Sequence, residues 1–235
     1  MGVTKESLET ALKEKLGATH VEAVDMSDGC GQNFEVIVVS PQFEGKSVLQ
    51  KHRMVNDAVK DQQLKLIQSM LRVDHAGEIG ANWIYKGQYN YIKDKESRDK
   101  IKEMWNQEKH HLKVFDEILA STKTRPSLLR PFWELAGYTL GSVTAIMGKE
   151  AAMACTEAVE TVIGQHYNDQ IRKLYAIDDK EIQKLLVVLK EFRDDELEHL
   201  DTAVQMDSKK APFYDLLNSV IQVGCKTAIK IAEKI

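Results

Sequence analysis

The chain has 235 residues, 43% of them hydrophobic and 29% charged, which is enough to bury a sizeable core as one large or two small domains. A formal net charge of −4 supplies no global basic field and argues against nucleic acid as a partner. Three cysteines, Cys30, Cys155 and Cys225, stand far apart without CxxC spacing, so they read as free thiols of a reducing compartment.

The first stretch, MGVTKESLETALKEKL, has three acidic residues and no arginine, so it has neither transit-peptide composition nor a signal-peptide core and reads as the start of a folded domain. A helix is expected over Lys5 to Leu16, a strand around His20 to Asp25, a Gly-rich turn at DGCG and a strand at FEVIVVS. A second helix follows from Val48 to about Lys60. Beyond Asp61 the strand-like runs stop and heptad-like helical patterns take over. This change places a boundary near residue 62, dividing a small mixed α/β unit (1–62) from a helical domain (63–235). No Pro/Gly linker marks it, so the two helical stretches can run together.

Four long helical segments follow, each with an apolar seam at alternating spacings of three and four. The first seam is Leu64, Ile67, Leu71, Asp74, Glu78, Ala81 and Tyr85. The second is Ile101, Met104, Glu108, His111, Phe115 and Ile118. The third is Met153, Thr156, Glu160, Ile163 and Tyr167, and the fourth is Ile182, Leu185, Leu189, Phe192, Glu196 and His199. A glutamate breaks every seam, and on two of them a histidine follows it three residues later. A lone seam glutamate more often snorkels or pairs with a cation than binds metal, and a lone Glu-x-x-His is a weak signal. The four together form the ligand set of a carboxylate-bridged dimetal site inside a helical bundle. Spacing of i, i+3 puts both side chains on one helical face. Four carboxylates carry −4 and two divalent ions carry +4, which removes the cost of burying unpaired charge.

The metal ligands expected on this ground are Glu78, Glu108, His111, Glu160, Glu196 and His199. An oxygen-rich set without thiolates favours iron over zinc, with manganese as the competitor. Asp74, one turn before Glu78, is expected to accept a hydrogen bond from a ligating histidine; an ordinary salt bridge to Arg72 is the alternative. His75 and His110 flank the seams and read as outer or surface groups.

RVDHAGEIGA, QEKHHL, EAVETVIGQHY and FRDDELEHLD resemble the four ligand helices of the demethoxyubiquinone hydroxylase family, the di-iron monooxygenases of coenzyme Q biosynthesis. The resemblance covers about Gln63 to Ile235. It implies an all-α, ferritin-like four-helix bundle holding two irons on the same six residues. It also implies a prenylated demethoxyquinol substrate, dioxygen and NADH-derived electrons, with His166 and Tyr167 delivering electrons or protons. Core packing is the alternative reading of that pair. The implied setting is the matrix side of the mitochondrial inner membrane, as a peripheral homo-oligomer among other coenzyme Q biosynthesis proteins. A ferroxidase or iron-storage protein is the rival reading.

A prenylated substrate calls for an apolar entrance, and two stretches fit. In LLRPFWELAGYTLGSVTAIMG the uncharged run Leu135 to Gly148 is 14 residues, shorter than the roughly 20 that span a bilayer, so it reads as interfacial or buried. In the C-terminal helix Phe213, Leu216, Leu217, Val220, Gly224, Ala228 and Ile231 share one face, for packing on the bundle, a membrane surface or a subunit partner.

The segment HVEAVDMSDGCGQNFEVIVVSPQFEGKSVLQKHRMVNDAV resembles the BolA family over about Val3 to Asp61. The family pairs with monothiol glutaredoxins around a [2Fe-2S] cluster, and Cys30 corresponds to its loop metal ligand. The family's final strand and its cluster-binding histidine do not follow the second helix. A truncated BolA-like unit is therefore expected, with an unpaired sheet edge and a small core. His52 reads as structural. The second rival treats the chain as an iron-sulfur trafficking adaptor.

Overall fold

The computed structural model describes residues 4–26, 34–175, 177 and 179–235. The DGCG turn and Cys30 lie outside them. The chain divides into two compact units, Met1–Met70 and Leu71–Ile235.

In the first unit, helix α1 (Lys5–Leu16) opens with a capping box between Thr4 and Ser7. Leu8, Leu12 and Leu16, spaced by four, share one buried face. Strands β1 (His20–Asp25) and β2 (Phe34–Val39) pair antiparallel, with His20 opposite Val39 and Asp25 opposite Phe34. That register turns Val21 and Ala23 toward the three leucines, together with Phe34, Val36 and Val38. Val24, Ile37 and Val39 stay exposed on the other face. Among the described residues this two-stranded sheet has no third strand.

Helix α2 (Val48–Tyr91) contributes Met54, Val55, Ala58 and Val59 to the first core. It is 44 residues long, so the expected end near Lys60 does not occur. Between Gly45 and Gly77 there is neither Gly nor Pro, and nothing in the backbone chemistry stops the helix.

The second unit holds the C-terminal part of α2 with α3 (Lys95–Thr122), α4 (Arg130–Met147), α5 (Lys149–Tyr175), α6 (Lys180–Gln205) and α7 (Tyr214–Ala232). Asp94 caps α3 by accepting from the Ser97 amide at 2.8 Å, and Asp179 caps α6 by accepting from the Glu181 amide at 2.8 Å. Gly148, at φ 126°, breaks the chain between α4 and α5 in a conformation that side chains resist. Every residue of α5 from Ala151 to Glu160 is buried, which its run of small side chains permits. Helix α4 lies backbone-close to α2: a Cβ on Gly141 would come within 2.0 Å of the Ile84 carbonyl oxygen.

The apolar faces of α4 and α7 divide unevenly. Trp133, Gly137 and Ala145 of α4 are buried, while Phe132, Leu135, Val143 and Ile146 face outward. On α7 the expected stripe is packed only in part, through Leu217, Ala228 and Ile231. Phe213, Leu216 and Val220 are 82%, 65% and 60% exposed, whereas Ile221 and Ala232 are buried. No helix among the described residues is long and apolar enough to cross a membrane.

Candidate metal centre

The seams of α2, α3, α5 and α6 converge, and the six expected ligands meet. Glu78, Glu108, His111, Glu160, Glu196 and His199 are all at most 2% exposed. They form two groups of four. Glu78, Glu108, His111 and Glu196 make one, and Glu108, Glu160, Glu196 and His199 the other; within each, the donor atoms lie within 4.8 Å of one another. Glu108 and Glu196, one from each Glu-x-x-His helix, belong to both.

Both histidines turn Nδ1 inward. His199 Nδ1 lies 3.2 Å from Glu108 Oε1 and from Glu196 Oε2, and His111 Nδ1 lies 3.5 Å from Glu196 Oε1 and 3.6 Å from Glu78 Oε2. The outer nitrogens are held from behind: His111 Nε2 donates to Asp195 Oδ2 at 3.0 Å, and His199 Nε2 donates to Gln107 Oε1 at 2.9 Å. Phe192 stacks on His111 at 3.9 Å between ring centres, and Tyr85 meets His199 edge to face at 5.9 Å. Each lone glutamate also receives a phenol. Tyr167 donates to Glu78 Oε1, and Tyr85 donates to Glu160 Oε1 at 2.8 Å.

The free valences test whether the set fits a cation. Glu78 Oε2, both Glu108 oxygens, Glu160 Oε2 and His111 Nδ1 are buried without a hydrogen-bond partner. Five buried, unpartnered donors and acceptors in one place would cost about 1–3 kcal/mol each, and all five belong to the residues of the two groups that could hold a cation. Without a cation the histidines carry the positive charge. Burial pulls both down, but contact with Glu196, Glu78 and Glu108 outweighs it, lifting His111 to about 12 and His199 to about 11. Burial and the Glu196 charge push Glu108 up to about 8. Burial also acts on Glu196, but bonds from the two histidines hold it at about 2. Burial pushes Glu160 well above the usual carboxylate range. The set is an oxygen-rich, two-centre cradle for hard or borderline divalent ions.

Asp74 does not act as the expected acceptor. Its Oδ1 accepts from Gln170 Nε2 at 2.6 Å and lies 3.4 Å from His166 Nε2, because residues 166 and 170 of α5 face it across the helix pair. Asp195 and Gln107 take the role foreseen for it. The alternative salt bridge also fails to form: Arg72 instead donates to the Arg125 and Glu233 carbonyls, each at 3.3 Å. His75 is buried against Asp116 at 2.9 Å, and His110 is exposed. Cys155 and Cys225 are free thiols.

A cavity of about 390 Å³ opens beside the Glu78 side of the cluster. Val73, Ile84, Trp133, Leu140, Ile163 and Ile221 line it, and its few polar groups include Asp74, Glu78, His166 and Tyr167. An apolar volume with a few convergent polar groups suits an organic ring bearing oxygens.

Residues 65–232 match the family described as ubiquinone biosynthesis protein COQ7, and residues 3–70 match the BolA-like protein family. Among similar proteins, the NADPH-dependent 3-demethoxyubiquinone 3-hydroxylase, mitochondrial, of Rattus norvegicus is 49% identical over 168 residues, covering 72% of this chain and 77% of its own. The 5-demethoxyubiquinone hydroxylase, mitochondrial, of Saccharomyces cerevisiae is 42% identical, covering 75% and 82%. The 3-demethoxyubiquinol 3-hydroxylase of Rhodospirillum rubrum is 40% identical, covering 72% and 79%. With a BolA-like domain at its front and the matched residues of the long match enclosing all six converging side chains, the chain belongs to the COQ7 family of ubiquinone biosynthesis proteins.

Proposed function

We propose that the chain hydroxylates a demethoxyubiquinone or demethoxyubiquinol ring in ubiquinone biosynthesis, as a mitochondrial di-iron monooxygenase. One oxygen atom of O2 enters the ring and the other leaves as water, which consumes two electrons. The expected donor was NADH, and the relatives' names give NADPH; a reduced nicotinamide is the class. The observation that carries the reading is a cluster of buried, unpartnered carboxylate and imidazole atoms that borders an apolar cavity. A ferroxidase or iron-storage protein would share the cluster but leaves the cavity without a use.

In this reading residues 63–235 form the catalytic, ferritin-like domain, with α2, α3, α5 and α6 as its four ligand helices. Glu78, His111, Glu160 and His199, together with Glu108 and Glu196, which belong to both groups of four, would hold the two irons. When bound, iron supplies the capacity to activate dioxygen. The protein supplies the rest. Tyr167 and Tyr85 each occupy one oxygen of a lone glutamate, leaving the other directed inward. Burial and the Glu78 carboxylate raise the Tyr167 hydroxyl well above its ordinary value, so it stays a donor at neutral pH. His166, at the cavity wall with its Nε2 near Asp74 and Gln170, orients a quinol hydroxyl and passes its proton. The apolar lining excludes water from the ring.

The outward faces of α4 and α7 support peripheral attachment to the inner membrane on its matrix side, association with a second copy, or contact with other coenzyme Q biosynthesis proteins. For the BolA-like unit the corresponding reading is a [2Fe-2S] cluster shared with a monothiol glutaredoxin through Cys30. The test is to purify the protein from iron-supplemented cells and to measure metal content together with O2- and NADPH-dependent conversion of a short-chain demethoxyquinone. Iron with hydroxylated product is expected. Iron without product would favour the ferroxidase, and protein that takes up no metal would overturn the reading.

A further inference from the structure

The two Glu-x-x-His helices repeat one arrangement. In α3 the residue just before the glutamate is Gln107, and it reaches across to His199 of α6; in α6 the residue just before the glutamate is Asp195, and it reaches across to His111 of α3. The two hydrogen bonds are nearly equal in length, 2.9 and 3.0 Å, and each ring is fixed by an aromatic neighbour. The lone glutamates are matched as well, each with one tyrosine hydroxyl. Charge breaks the repeat. His111 is backed by a carboxylate and His199 by a neutral amide oxygen.

Because both Nδ1 atoms face the glutamates, both Nε2 atoms carry the proton and donate it. A hydrogen bond to a carboxylate is roughly twice as strong as one to a neutral acceptor. It draws the N–H proton outward and leaves more electron density on the inward nitrogen, which makes the ring a better donor to a cation. We propose that Asp195 and Gln107 make the two metal positions inequivalent, so that the position between Glu78 and His111 holds its divalent ion more tightly than the position between Glu160 and His199. Asp195 and Gln107 are positioning residues, since neither reaches the ions. The proposal rests on the reading that the six buried residues hold two divalent ions.

Co2+ titrated calorimetrically into the metal-free full chain tests it, with a competing chelator to reach the tighter step. Repulsion between two cations separates the steps in any dimetal site, so the variants decide. Asp195→Asn is expected to weaken the tighter step by about 10–100-fold and to leave the weaker one in place. Gln107→Glu gives His199 the carboxylate it lacks and is expected to tighten the weaker step by a similar factor. Loss of packing alone would not produce that gain. If Asp195→Asn lowers the helical circular dichroism, the Gln107→Glu result still decides. Steps that do not move in either variant, or that move together, overturn the inequivalence while the dimetal reading stands. A wild-type chain that binds no Co2+ overturns both.

Discussion

Glu160 closes the run of α5 from Ala151 in which every residue is buried, and its Oε2 has no hydrogen-bond partner there. Glu160→Ala is expected to lose bound iron and to reduce quinone hydroxylation to background while keeping its helical circular dichroism, because Ala is a better helix former and α5 stays packed. Wild-type iron and turnover would remove Glu160 from the ligand set. Tyr214 offers a pH test away from the buried cluster. Partial burial and its 2.7 Å bond to Glu157 raise its hydroxyl to about 12. A raised folded value means that the stabilisation is complete below the ordinary tyrosine value near 10 and fades as pH climbs toward 12. Tyr214→Phe should therefore be less stable than wild type to urea at pH 8, with the gap narrowing at pH 11. The six cluster residues were legible because ionisable groups on an apolar seam need a partner. Asp195 and Gln107 were not. They lie beside the seam, where acid and amide residues normally face solvent, and in FRDDELEHLD nothing in the local pattern separates Asp195 from Asp194.

At the level of elements, α1 and β1 appear where capping and alternation put them. Helix α2 runs on because no breaker interrupts it. The packed side of α7 was legible only in part, for a physical reason: with Phe213, Leu216, Val220 and Val223 on one flank and Ile221, Cys225 and Ala232 on another, both stripes are apolar and periodicity alone carries no phase. The contact of α4 with α2 leaves no such freedom. Gly141→Ala must displace Ile84 or the whole of α4, at about 1–3 kcal/mol. A lower thermal midpoint is expected, with weaker quinone binding because the cavity wall moves. An unchanged midpoint would mean that the helices are not in backbone contact.

At the level of the whole molecule, the two units carry separate cores. Leu12, fully buried among the residues of the small first core, is expected to cost about 2–5 kcal/mol when changed to Ala. Amide exchange should then rise throughout residues 5–60 and not in α5 or α6. Cys30→Ala is expected to leave hydroxylation unchanged, and a large fall in turnover would show that the front unit is coupled to catalysis. Composition and seams made the division into a mixed front and a helical remainder legible. The use of the front unit was not, because Cys30 stands without a second cysteine at metal-ligand spacing.

Helices α4 and α7 wall the cavity with one side and expose Leu135, Ile146, Phe213 and Leu216 on the other. A substrate that reaches the site from lipid through such walls is never dissolved in bulk water at a meaningful concentration. Its supply is then measured by its mole fraction in the bilayer. Diluting the quinone with inert phospholipid at constant total amount should slow the enzyme, whereas diluting the suspension with buffer should not.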